Sequence, residues 1–219
     1  MNPQSTLSVF AVAAALALGP GCKSSSGHQA SDTTAGHMDA LRASADSLKA
    51  KVNAAAGSLS VVVEKAEVDP KTPFEQYKKD VAAVNDWVAK AESNLKAVRA
   101  QGQTYFAEWE KQATTMQDPE LKETAEERRA ELKKAVDAIG KAMEEVRVDL
   151  TPFVASIKDV QTYLSNDLTP AGIETVEGKS KKLIDDAETI GEKLDDLVET
   201  LEENAPAFKT AKPPPPAPK

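Results

Sequence analysis

One thiol, two imidazoles and a large stock of carboxylates are the groups in this 219-residue sequence that could do chemistry. Cys22 has no second cysteine to pair with, so it is either a free thiol or an attachment point. His28 and His37 fall in or beside a Ser-, Thr- and Gly-rich stretch, where solvated linker imidazoles are expected rather than a metal pair. The carboxylates crowd towards the C-terminus, with 11 acids against 4 bases between Ile173 and Glu203. Asp185, Asp186, Asp195, Asp196, Glu202 and Glu203 lie mainly off the apolar seam of that segment. They make a solvated face that could dock a basic partner or weakly hold divalent cations, rather than an acid and base aimed at one substrate. Carboxylate metal bundles need inward Glu-x-x-His repeats, and no histidine follows His37, so a centre of that kind is excluded. There is no Gly-x-Ser-x-Gly, no phosphate loop and no Cys-His pair. The expectation is a protein without catalytic residues, metal or cofactor.

The place of Cys22 gives it a role. Residues 7–18, LSVFAVAAALAL, form an apolar run of about a dozen residues, the length of a signal-peptide core and too short to span a bilayer. LGPG before Cys22 resembles the lipobox of bacterial lipoproteins, in which a diacylated cysteine becomes the first mature residue. Leu18 stands one residue earlier than in the usual lipobox, and the N-terminal MNPQST lacks a basic residue. This divides the chain into a signal peptide (1–21), a flexible tether from a lipidated Cys22 (22–36), a helical region (37–206) and a Pro-rich extended tail (207–219). A tether of 14 residues would span about 20 Å. Lys23 after the cysteine resembles the outer-membrane class of lipoproteins, which puts the protein on the periplasmic face of a membrane, the outer more than the inner. A lipid at one end, a helical middle and a final Lys219 resemble Braun-type envelope lipoproteins. In those the terminal lysine is joined to peptidoglycan, although the Tyr-Arg that usually precedes it is absent here. The net charge of −8 opposes binding to nucleic acid and to anionic head groups.

The elements between these ends are legible from period. Apolar residues recur at spacings of three and four from Met38 through Leu41, Ala45, Leu48, Val52 and Leu59 to Ala66, which predicts one amphipathic helix. Pro70 and Pro73 end it, and Pro73 can sit in the first turn of the next helix. A second stripe runs from Phe74 to Met116. A third runs from Leu121 to Leu164 with a heptad stutter between Val146 and Leu150, and a fourth from Ile173 to Leu201. Asp118–Pro119 and Thr169–Pro170 have the cap and first-residue chemistry of helix starts. Pro152 sits beside the stutter and predicts a kink of more than about 20°.

Short connections make consecutive long helices antiparallel. Folding the second and third about Asp118 places residue i opposite roughly 237 − i, so apolar seam meets apolar seam. That register sets Gly102 opposite Ala135, allowing close backbone approach, and Arg128 beside Trp109 as a cation–π pair. Trp87 and Phe106 lie just off the seam and predict that the first and fourth helices cover the flank. Gln112, Arg128 and Ser180 interrupt the seams as register-setting polar residues. The fold class is all-α: an elongated antiparallel bundle or coiled coil of about four long helices.

YFAEW at 105–109 and LTPFVASIKDVQTYLSNDLT at 150–169 resemble a bacterial family known as domain of unknown function 2959, over about Met38 to Pro206. Trp109, Pro152, Asp159, Tyr163, Leu164 and Leu168 match its pattern, with Leu150, Thr151 and Lys158 as replacements. The resemblance implies a predominantly coiled-coil fold and brings no assigned activity. The function expected is a lipid-anchored envelope protein acting as spacer, scaffold or adaptor, with a protein partner or self-association through its helical faces. The alternatives are a small-ligand or cation-binding bundle, using the interior around Gly102, Gln112 and Arg128 or the acidic fourth helix, and a peptidoglycan tether through Lys219.

Overall fold

The computed structural model describes residues 27–209, with side chains from Gln29 onward. Four helices, α1 (Gly27–Glu64), α2 (Lys71–Ala113), α3 (Pro119–Asn166) and α4 (Pro170–Asn204), are followed by a single 3-10 turn, Ala205–Phe208. Each helix packs against two neighbours, so that α1, α2, α3 and α4 form a closed cycle of contacts. This is the predicted antiparallel bundle. Its core is the predicted set of stripes: Met38, Leu41, Leu48, Val52, Leu59 and Val62 on α1, and Ile173, Leu183, Ile190, Leu194, Leu197 and Leu201 on α4, are all at most 1% exposed.

The helix starts follow from local chemistry. The Asp118 carboxylate accepts from the Glu120 and Leu121 amides, and the Thr169 hydroxyl accepts from the Gly172 amide, with Pro119 and Pro170 next in each case. Each cap satisfies amide donors that the first turn of a helix leaves over. Gly172 is required where it stands. A Cβ there would lie 2.5 Å from the Asp167 carbonyl oxygen, so the tight α3–α4 connection admits no side chain. α3 continues as helix through Pro152.

Three expectations about the ends need correction. Residues 27–36, read as tether, are the opening turns of α1, with Ala30, Ser31, Thr34 and Ala35 buried. The hydroxyls that suggested a linker satisfy themselves within the helix: Thr33 donates to the Gln29 carbonyl and Thr34 to the Ala30 carbonyl. Residues 207 and 208, read as the start of the proline-rich tail, belong to a packed turn, Ala205–Phe208, in which Phe208 is fully buried. Gln112, Met116 and Leu121, at and around the α2–α3 connection, are exposed rather than seam-paired. The signal segment, Cys22, His28 as a side chain and Lys219 lie outside the described residues.

Candidate functional site

The α2–α3 register falls close to expectation. Arg129 pairs with Glu110 at 3.0 Å, and the Tyr77 hydroxyl donates to the Ile157 carbonyl at 2.7 Å. Between these two ties the helices stand apart. A groove of about 340 Å³ opens there, with Val88, Ala91 and Leu95 of α2 facing Met143, Leu150 and Val154 of α3. Glu92, Arg99, Glu144 and Arg147 stand exposed on its rim. Arg147 donates to both Glu144 oxygens, at 2.8 and 2.5 Å. That hydrogen bonding is the main reason the Glu144 carboxyl is held below the usual carboxylate range and the Arg147 guanidinium is raised, with Glu92 adding its negative charge to the latter. Arg99 makes no ion pair among the described residues. It lies across the bare backbone of Gly140, its Nη2 3.5 Å from where a Cβ would be, and also lines the next chamber with Phe106, Lys133 and Val136.

The interior expected around Gly102, Gln112 and Arg128 does not form a site. A Cβ on Gly102 would meet Val136 at 3.6 Å, ordinary contact, so the backbones do not approach closely there. Gln112 and Arg128 are exposed, and Ser180 alone of the three interrupting residues is buried. Trp109 and Arg128 do not form the expected cation–π pair. Arg128 pairs with Glu131 at 3.0 Å and donates to the Ala207 carbonyl at 3.2 Å, because the packed C-terminal turn offers it a fixed acceptor. The cation–π contacts among the described residues are Lys78 over Phe74 and Lys90 over Trp87. Nor do α1 and α4 cover both flanking aromatics: Phe106 stays half-buried in the open α2–α3 seam.

The YFAEW segment instead builds one end of the bundle. Tyr105 packs edge-on to Trp109 at 5.4 Å between ring centres and against Phe208 at 6.1 Å. Ser31 of α1 donates to the Phe208 carbonyl at 2.6 Å, and Lys209 pairs with Asp39 at 2.9 Å. The start of α1 and the end of the described chain are thus fastened together. A lone phenylalanine two residues after Pro206 gave no periodic signal, which is why the sequence hid this closure.

Most of the acidic face of α4 is exposed, but several of its charges are engaged. Asp195 pairs with Lys49, Glu202 with Arg42 and Asp186 with Lys182. Among the described residues no group of three or more His, Cys, Asp or Glu side chains could hold a metal ion, and no helix is long and apolar enough to cross a membrane.

These features define a four-helix bundle closed at one end by its own C-terminal turn and open along one seam. The family model described as protein of unknown function, DUF2959, matches residues 22–208, and the chain belongs to that family. The match ends on Phe208, the residue that closes the core, and leaves out the proline-rich segment. No curated protein and no solved structure matches the chain.

Proposed function

We propose that the protein is a non-catalytic, lipid-anchored adaptor of the bacterial cell envelope, held by Cys22 on the periplasmic face of a membrane, the outer more than the inner. The observation that carries this reading is the fastening of Ser31 to Phe208, which brings both ends of the described chain to one end of the bundle. A lipid on Cys22 would then hold that end within about 17 Å of the membrane, since only a few residues separate Cys22 from α1. The opposite end would project by the length of α1, about 57 Å. Such an arrangement presents long helical faces to a protein partner or to a second copy. It supports the adaptor more than the spacer, because a wall link through Lys219 would leave from the same end and the bundle's length would separate nothing.

Mass analysis of the N-terminal peptide from membrane-extracted protein, with and without inhibition of the lipoprotein signal peptidase, tests the anchor. A diacylglyceryl Cys22 that disappears on inhibition is expected. An unmodified start elsewhere contradicts the reading, and so does cross-linking on intact cells that recovers neither partner nor self-association.

A further inference from the structure

We propose that the α2–α3 groove binds a single-chain fatty carboxylate, its head group on Arg99 and its chain along Val88, Leu95, Leu150 and Val154. The inference is independent of the anchoring reading. The groove has the size and composition of a small-ligand site: about 340 Å³, an apolar floor and polar groups only at the rim. Its length from Val88 to Arg99 is about 16 Å along the helix, which suits an extended medium-length acyl chain.

Charge selects the head group. Glu144 is held by Arg147 through two hydrogen bonds and feels the charge of Arg99 only from beyond ion-pair distance, and Glu92 lends its field to Arg147. Arg99 remains as the cation without an ion pair, laid across Gly140 at one end of the apolar floor. A carboxylate there gains a charge-assisted, fork-shaped contact. At that end a cationic head meets the like charge of Arg99, and an uncharged head gains no charge-assisted contact. The slot lies between the Tyr77–Ile157 and Glu110–Arg129 ties.

Calorimetric titration of the full chain with dodecanoate, below its micelle concentration, tests the proposal. One saturable site is expected, weakened at least tenfold by Arg99→Glu, several-fold by Arg99→Gln, and at least tenfold by Val154→Trp, which fills the floor. Dodecyltrimethylammonium, with the same chain and the opposite charge, should bind at least tenfold more weakly than dodecanoate. Arg99 is exposed, so both Arg99 variants should keep the wild-type helical circular dichroism. Three results would overturn the proposal: no saturable dodecanoate binding, equal affinity in correctly folded Arg99→Glu, or equal affinity for the cationic amphiphile. A wild-type dimer in sedimentation that Leu95→Glu dissolves, without dodecanoate binding, would assign the groove to a second copy and equally overturn it.

Discussion

The two sides of the bundle are built from the same heptad pattern and packed differently. On the α1–α4 side the seam positions are almost wholly buried, and Arg42–Glu202 at 2.7 Å and Lys49–Asp195 at 2.5 Å cross the interface in one register. Lys193 of α4 pairs with Asp149 of α3. On the α2–α3 side Val88, Leu95, Phe106, Val136, Ala142 and Val154 are only half-buried, and Arg129–Glu110 is the ion pair joining the two helices among the described residues. The difference lies in what fills the gap. Small residues at Ala91 and Gly140 leave room that the larger neighbours line without bridging. Apolar period brings two helices together, and side-chain volume decides whether the seam between them closes.

The largest effect should come from the latch that holds the chain ends. Phe208→Ala removes a fully buried ring and should cost about 3–5 kcal/mol of stability, read as a lowered midpoint in urea unfolding. It should also expose residues 27–35 to proteolysis, because the backbone carbonyl that Ser31 bonds is no longer held by a buried ring. Next, equivalent truncations should separate the two sides. Leu194→Ala on α4, 1% exposed, should cost about 2–5 kcal/mol, whereas Leu95→Ala in the groove should cost about 1 kcal/mol. Equal costs would mean that the groove closes in solution.

Tyr77 fixes the far end of the groove and adds a pH signature. Burial raises its phenol above the ordinary value of 10.0, so the neutral form is favoured in the fold. Its contribution is therefore complete below about pH 10 and falls as pH rises above that value. Tyr77→Phe should cost about 1 kcal/mol at neutral pH and flatten the alkaline loss of stability seen in pH-dependent unfolding. The smallest effects should be favourable. Gly102→Ala and Gly140→Ala place methyls at ordinary contact distances, 3.6 Å from Val136 and 3.5 Å from Arg99, and should each stabilise by about 0.5–1 kcal/mol in thermal unfolding. A closely packed seam would reverse that sign.

Much of the bundle was legible in the sequence because it depends on period and caps. Leu41, Leu48 and Leu59, or Leu183, Ile190 and Leu197, announce their faces by spacing alone, and Asp118–Pro119 and Thr169–Pro170 announce helix starts by chemistry. What stayed hidden depends on tertiary packing. Thr34 and Ser31 look like linker until the first is seen to bond the Ala30 carbonyl and the second the Phe208 carbonyl, since nothing local distinguishes a hydroxyl that bonds a carbonyl from one that bonds water. Arg128 falls near Trp109 by register, yet it turns to the Ala207 carbonyl supplied by a segment 79 residues away. The groove was the least accessible feature. A heptad specifies which residues face each other, and the distance between the helices follows only from all four packing together. Gly140 carries no signal in the sequence, and its role appears only in the fold, where Arg99 lies across it.

Amide hydrogen exchange measured by mass spectrometry on the full chain tests most directly whether one side is closed and the other open. Peptides covering 48–62 of α1 and 183–201 of α4 should exchange only through global unfolding, while those covering 87–106 of α2 and 133–151 of α3 should exchange at least tenfold faster through local opening. Uniform protection across all four helices would contradict the account.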